Sequence, residues 1–312
     1  MNVFQNIKNY NPDSKCILTI GTFDGVHIGH KKIIKRLVKL ANKKKIESTI
    51  LTFFPHPRMV LQKESNLKLI DTLEEKKNLL KKLGVDNLIV HPFSKAFSRL
   101  TSLEFCRDFL VNQLHTDTLL IGYDHHFGHN REATSNDLAA MGQTYNFDVH
   151  IIPAQDISSI TVSSTKVRKA IMSSDFMLVQ KFLGRYFELT GIVTKGDGIG
   201  RTIDFPTANI SVEESYKLIP LNGVYLVSIK YKDNLFKGMM NIGIRPTING
   251  RRQTLEVHLF NFNKDIYNQK LKILFIEKIR DEQKFESLDA LKKQLEKDKE
   301  ISKRSLINKG LH

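Results

Sequence analysis

The sequence predicts an α/β domain built on a parallel sheet, followed by a small antiparallel β-barrel that ends in one helix. Three observations carry this. The first half alternates short β-branched runs with amphipathic helical stretches. After about Gly184 the texture changes to strand-like segments joined by short turns. The last of the three is the end, where Leu288–Leu306 reads as a single helix. At 312 residues the chain exceeds one average domain. The boundary is expected between Phe182 and Glu188, giving domains 1–183 and 184–312.

In the first half, Cys16–Ile20 and Ser48–Phe53 are short, apolar and β-branched. Between them Lys31–Lys45 places Ile33, Ile34, Leu37, Val38 and Ala41 on one face at helical spacing. Leu73–Leu83 reads as a helix, Asn87–Val90 as a strand and Thr101–Leu114 as another helix. Thr118–Ile121 and Val149–Ile152 are further strands. Such alternation implies a parallel sheet covered on both faces, with ligands beyond the carboxyl ends of its strands. In the second half Gly223–Tyr231, Leu235–Ile242, Gln253–Phe260 and Lys270–Ile279 are strands. Leu255, Val257 and Leu259 fall on one face, Glu256 and His258 on the other.

Composition excludes several classes. Hydrophobic residues make up 41% and charged residues 26%, values of an ordinary globular chain. No apolar run approaches the roughly 20 residues of a membrane-spanning helix. The start, MNVFQNIKNYNPDSK, has no apolar core or cleavage site and predicts no secretory signal. Cys16 and Cys106 lie in apolar segments, far apart, without metal or disulfide spacing. A cytoplasmic protein without membrane association is expected. The net charge of +15 invites a nucleic-acid reading. The lysines, however, are spread along helical segments and not interleaved with aromatics, so solvated helix faces are favoured and no nucleic-acid partner is expected.

Two segments carry chemistry. Gly21–His30, GTFDGVHIGH, follows the first strand and opens a helix. A helix N-terminus offers unpaired N–H groups and a positive dipole end to a phosphate. Gly25 and Gly29 allow close backbone approach, and His27 and His30 can donate charge-assisted hydrogen bonds as charge builds on phosphorus. H-x-G-H after a strand resembles the nucleotidylyltransferase signature. The fuller GxFDGVHxGH is similar to that of the bacterial bifunctional riboflavin kinase/FAD synthetase family. That resemblance implies a Rossmann-like domain that transfers AMP from ATP to FMN, with Gly21, Phe23, Asp24 and Gly29 at the ATP. TFFPHP, residues 52–57, resembles the family's second motif and implies that His56 faces the flavin phosphate. GYDHHFG, residues 122–128, stands where the family carries G-x-[DN]-F-x-F-G, making Asp124 a flavin contact. His125 and His126 depart from that pattern; with His129 they form H-H-x-x-H, whose spacing suits pocket lining better than zinc. SSTKVR resembles the second phosphate clamp, with Ser163, Ser164, Thr165 and Arg168 on ATP. Read without the family, Ser163–Thr165 is a helix N-cap run.

The second segment is GIVTKGDGIGRTIDFPTANI, residues 191–210. Gly196, Gly198 and Gly200 give a loop able to fold over phosphates, and no Walker-type P-loop is present. In an extended chain Thr207 and Asn209 share one side, and their oxygens are hard ligands suited to Mg²⁺. The segment resembles the riboflavin kinase signature GxxxxGxxxGRxxGFPTAN. The resemblance implies that Gly196, Gly198, Gly200 and Arg201 bind ATP, with Thr207 and Asn209 at the magnesium. It also implies Glu256 as the base for the ribityl hydroxyl, and Arg280 and Phe285 at the flavin. Asp204 departs from the family's glycine and would be repelled by a triphosphate unless it is turned outward or helps to hold the metal.

The expected protein is therefore a bifunctional transferase that makes FMN and then FAD. It uses ATP and Mg²⁺, needs no tightly bound cofactor, takes riboflavin and FMN as partners, and is a monomer or weak homo-oligomer. Another adenylyl- or cytidylyltransferase would share H-x-G-H but has no use for the PTAN and EVHLF segments. A flavin-responsive nucleic-acid binder would rest on charge alone.

Overall fold

In the computed structural model the chain is described over residues 1–311, except 13, 63–65, 124–126, 130–131, 154–161, 197 and 248–249. It divides into two compact units, Met1–Ser164 and Thr165–His312.

The first unit is a parallel sheet of β1 (Asn2–Phe4), β2 (Cys16–Ile20), β3 (Glu47–Phe53), β4 (Asn87–His91), β5 (Thr116–Gly122) and β6 (Asp148–Ile152). Its order is β1-β4-β3-β2-β5-β6, so chain order reverses between β2 and β5. Every residue of β2 and β4 is buried, the pattern of strands covered on both faces. Alternation divides the side chains between two cores. Cys16, Leu18, Ile20, Leu51, Ile89, Leu119 and Ile121 pack one way, against Phe105, Leu110 and Leu138. Ile17, Ile50, Leu88, Val90 and Leu120 pack the other way, against Ile34, Leu37 and Ala41 of α1 (Ile28–Lys44) and against Leu80. That alternation is the two-residue period of the strand.

Both cysteines are buried, and burial pushes each thiol up to about 11. The lysines of α1 follow the expected division, with Lys32, Lys35, Lys39 and Lys43 exposed on the face away from the sheet. Helix α2 (Pro57–Leu61) is short, and α3 (Leu73–Lys82) starts in a capping box between Thr72 and Glu75.

One predicted helix is wound differently. Only Ser102–Glu104 is α-helical, and Phe105–Val111 continues as a π-helix. The N–H groups of Asn112 and Leu114 reach the carbonyls of Arg107 and Phe109, five residues back. In this winding the Phe105 and Phe109 rings stack at 5.8 Å.

The second unit closes six strands into a barrel in the order β10-β11-β8-β7-β12-β9. They are β7 (Phe187–Thr194), β8 (Ala208–Ser211), β9 (Gly223–Tyr231), β10 (Asn234–Thr247), β11 (Gly250–Leu259) and β12 (Lys270–Arg280). Leu255, Val257 and Leu259 are buried on one face of β11, and Glu256 and His258 lie on the other, as the alternation requires. β7 and β8 escape the sequence reading: Phe187–Thr194 favours strand but runs directly into a glycine loop, and the PTAN segment reads as loop.

The units divide earlier than the sequence texture does because the helix Phe176–Leu183 packs on barrel strands. Phe176 stacks on Phe275 at 5.3 Å and meets the Tyr225 ring edge-on at 5.7 Å. The C-terminal helix Leu288–Asn308, capped by Ser287, lays Leu291 and Leu295 over the outer barrel wall beside Val224, Leu226 and Met239.

Leu37 is fully buried between α1 and the sheet. Leu37→Ala should cost about 2–5 kcal/mol of stability, read as a fall in the urea midpoint; a loss under 1 kcal/mol would contradict the packing described.

Candidate active sites

The loop Gly21–His27 leaves β2 at the carboxyl edge of the sheet, where the strand order reverses. In parallel sheets the crevice for a ligand lies at such a reversal. The loop bends tightly: Phe23, Gly25 and Val26 have φ of 46, 84 and 37°. Two non-glycine residues in the left-handed region cost about 1–3 kcal/mol each, so surrounding structure must impose the shape. A Cβ on Gly25 would stand 2.8 Å from Ile70 Cδ1, which explains glycine there.

Buried side chains hold the loop from behind. Asp24 accepts the Ile70 N–H at 3.0 Å, Lys76 Nζ donates to the Thr22 carbonyl at 2.7 Å, and Ser164 Oγ donates to the Asp24 carbonyl at 2.9 Å. Of the two clamp segments, the structure thus brings Ser164 to the loop. Ser163 and Thr165 are exposed beside it, and Arg168 is half-buried further along the helix Ser164–Met172.

His27 caps α1, its Nδ1 accepting the His30 N–H at 3.3 Å. An accepting imidazole nitrogen carries no proton, so Nε2 of neutral His27 is the donor. The two rings stack at 3.6 Å. Gly29 makes room for this stack, since a Cβ there would crowd the His27 ring at 3.3 Å. Burial draws His27 down to about 4 and His30 well below the ordinary histidine range, with His27 and Lys76 adding to the effect on His30. Both rings are therefore neutral at neutral pH, whereas charge-assisted donors were expected. An approaching phosphate would meet neutral N–H groups first and would itself favour protonation. Among the described residues, His30 Nδ1 is buried with no hydrogen-bond partner.

A cavity of about 1110 Å³ opens beside this loop. Gly21, Phe23, His30 and His56 line one part of it. His56 caps α2 by accepting the Arg58 N–H at 3.1 Å. The remaining wall is aromatic: Phe53, Phe93 and Phe97 pack with ring centres 5.4–5.8 Å apart. This wall, with Arg58, Lys95 and Arg99 at its margin, was missed in the sequence. Its signal was the pair Phe93 and Phe97 in a segment outside any strand. Asp124, His125 and His126 lie outside the described residues. His129 lines the cavity, and no cluster of three metal-ligating side chains occurs among the described residues.

In the barrel, register assembles the second site. Glu256 on β11 pairs with Asn241 on β10 and Asn209 on β8, so all three project from one face. Thr207 Oγ1 donates to Glu256 at 3.4 Å. His258, on the same face, donates from Nδ1 to the Pro206 carbonyl at 2.8 Å, since that oxygen can only accept, and pins the FPT segment to β11. Two cavities meet here. One of about 250 Å³ is lined by Thr207, Asn241, Glu256, Arg280 and Phe285. The other, about 500 Å³, is lined by Arg201, Thr207, Lys264 and Tyr267. Thr207 belongs to both.

The glycines of the 196–200 loop serve close packing. A Cβ on Gly196 would overlap the Asn209 amide, and one on Gly200 would overlap the Phe205 carbonyl. Arg201 Nη2 donates to the Tyr267 hydroxyl at 3.0 Å. Gly198 has φ 74°, and Asp204 lies in the same left-handed region at 64°, which explains a glycine preference at that position. The Asp204 carboxylate pairs with Lys292 at 2.7 Å, and that ammonium lowers its pKa, while the residue also lines the larger of these two cavities. Arg280 is held by Asp298 of the C-terminal helix, with Nη2 to Oδ2 at 2.8 Å, and its guanidinium lies 5.7 Å from the Phe285 ring centre. The Thr207 hydroxyl and the Asn209 amide oxygen are hard donors of the kind that fits a magnesium ion.

Comparison with known proteins gives each half of the chain a family. The FAD synthetase family matches residues 10–166 and the riboflavin kinase family residues 183–306. The chain is 38% identical over 289 residues to the bifunctional riboflavin kinase/FMN adenylyltransferase of Haemophilus influenzae, covering 92% of this chain and 93% of that one. The chain belongs to the bifunctional riboflavin kinase/FMN adenylyltransferase family. Its relative of the same description in Escherichia coli K12 is 36% identical, with 96% of each covered. That of Listeria monocytogenes is 36% identical, with 92% and 91% covered. A solved structure described as a macrolide-efflux protein from Streptococcus pneumoniae superposes with a TM-score of 0.87 at 30% identity, covering 97% of this chain and 98% of that one. Among the described residues of this chain no helix is long and apolar enough to cross a membrane. The family's AMP-transfer half falls on the parallel-sheet unit and its kinase half on the barrel.

Burial of His27 has a pH consequence. An unfolded histidine takes up a proton below about 6.5, whereas the folded one waits until about 4. Protons thus favour the unfolded chain between those values, and stability is fully present above about pH 6.5 and lost as pH falls toward 4. One such group contributes on the order of 3 kcal/mol. Urea unfolding of the protein and of His27→Gln across this window should show the variant's profile flattened; parallel profiles would contradict the assignment.

Proposed function

We propose that the two halves act in sequence through the residues described above, those of the adenylyltransferase falling before Gly184 and those of the kinase after it. The observation that carries the kinase reading is Thr207, whose hydroxyl lines both cavities beside Glu256. ATP occupies the cavity with Arg201 and Tyr267, and riboflavin the one with Arg280 and Phe285. Glu256 accepts the proton of the terminal ribityl hydroxyl as that oxygen attacks the γ-phosphorus. The bond to the β,γ-bridging oxygen breaks, and ADP and FMN result. Thr207 and Asn209 would hold Mg²⁺, which when bound neutralises charge on the phosphates.

In the sheet unit the FMN phosphate oxygen attacks the α-phosphorus of a second ATP, and pyrophosphate leaves with the bonding electrons. The nucleophile is already an anion, so no strong base is needed. The N–H groups at the start of α1 and the imidazoles of His27 and His30 instead receive the charge that builds on phosphorus. The aromatic wall of Phe53, Phe93 and Phe97 suits an isoalloxazine ring by stacking. Ser163, Ser164, Thr165 and Arg168 are assigned to the ATP phosphates, His56 and Asp124 to FMN.

His30→Ala should lower FAD formation by about 10²–10³, the scale of losing one oxyanion donor, and spare FMN formation. Product separation after incubation with riboflavin, ATP and Mg²⁺ checks this; equal loss of both products would sink the two-site reading. Conversely, Glu256→Gln should abolish FMN formation while supplied FMN is still converted to FAD. A folded Glu256→Gln protein unable to use supplied FMN would refute the division of labour.

A further inference from the structure

Lys76 belongs to α3, an element without any part in the motifs that mark the phosphate loop. It is only 4% exposed, unusual for an ammonium. Around it the structure gathers further polar groups away from water: Asp24 and Asp71, each 1% exposed, and Thr72 at 2%. Taking an ammonium out of water costs several kcal/mol unless hydrogen bonds and opposite charge replace the water. Here the replacement is specific. Nζ donates to the Thr22 carbonyl at 2.7 Å; burial pulls the lysine's pKa down, and the carboxylates of Asp24 and Asp71 oppose that pull with opposite charge.

Thr22 lies between Gly21 and Phe23, and all three line the large cavity with His30. Its carbonyl precedes the left-handed Phe23, one of the two strained non-glycine residues in the loop. A side chain that fixes this carbonyl fixes the peptide plane between Thr22 and Phe23, and so the direction in which the loop presents its backbone to a ligand. A neutral donor, Thr52 Oγ1 at 3.3 Å, already reaches the same carbonyl, so the hydrogen bond alone does not account for a buried ammonium. The cation also balances Asp24 and Asp71, whose charges would otherwise act on a polyanion above the loop, and in a site of low dielectric they would be screened little.

We propose that Lys76 is a positioning residue of the adenylyl-transfer site, holding the Gly21–Phe23 backbone from beneath and balancing the buried carboxylates of Asp24 and Asp71 that would otherwise repel the ATP phosphates. The inference rests on the reading of Gly21–His30 as the phosphate loop. It concerns the loop's shape and field; Lys76 makes no contact with the reacting atoms.

The test compares Lys76→Met and Lys76→Arg in the full chain. Met keeps length and apolar packing but removes both donor and charge, while Arg keeps both. For Lys76→Met we expect kcat/KM for FAD formation from supplied FMN to fall about 10–100-fold, carried mainly by a raised KM for ATP, with riboflavin phosphorylation unchanged. For Lys76→Arg we expect recovery to within about fivefold. Urea unfolding of each variant reports the folded fraction. A Lys76→Met protein with ATP KM and kcat within twofold of the parent overturns the proposal. So does a loss that Lys76→Arg fails to restore in a folded protein, or one fully accounted for by the unfolded fraction. Because His30→Ala is assayed alongside, the two readings fail separately. Loss with His30→Ala but not with Lys76→Met removes only the role of Lys76; no loss with His30→Ala removes the phosphate loop itself.

Discussion

A backbone loop that must come close to a polyanion cannot be held by bulky side chains on its ligand side. It has to be held from behind by buried polar groups. This constraint shapes both halves of the chain. In the sheet unit Asp24 takes the Ile70 N–H and Ser164 takes the Asp24 carbonyl. In the barrel His258 takes the Pro206 carbonyl, and Asp298, fully buried, takes the Arg280 guanidinium. Each partner comes from a different element, so each loop is placed only when the whole unit is folded. Strain at Phe23, Val26 and Asp204 is tolerable for the same reason.

The two units reach this arrangement by different geometry. The sheet uses the divergence of chain direction between β2 and β5, which leaves a crevice above two strand ends. The barrel uses lateral register, setting Asn241, Glu256 and Asn209 side by side across three strands. A displacement of one residue in either pairing would turn Glu256 away from its neighbours. The role as a base proposed for Glu256 is thus tied to hydrogen bonding along the full lengths of β10 and β11.

Much of this was legible in the sequence, and the parts that were not have physical causes. Periodicity gave the main sheet strands, α1, α3 and the C-terminal helix, because their burial follows local pattern. β7 favours strand in its own residues but runs directly into a glycine loop, and β8 was hidden because the PTAN segment carries weak strand preference and is paired by long-range contacts. The π-winding of Phe105–Val111 was hidden because one added residue per turn leaves no compositional trace. At the sites, the motif residues were legible as motifs, but what they touch was not. Asp24 carries a hydrogen bond that shapes the loop, the glycines near Asn209 clear space for an amide, and Asp204 faces Lys292. The aromatic wall of Phe53, Phe93 and Phe97 is assembled from the end of β3 and the segment that follows β4, so no single window of sequence contained it.

The closure of the barrel also settles where the folded chain is open to other strands. A closed cylinder has no unpaired strand edge, whereas an open sheet has two. The open sheet ends in β1 and β6. β1 offers only three residues, too few to template a long pairing. β6 begins at Asp148, whose carboxylate is tied to Lys44, and its middle residue is His150. Brevity guards one margin and polar side chains the other, so protection from intermolecular pairing falls to side-chain chemistry in one unit and to topology in the other.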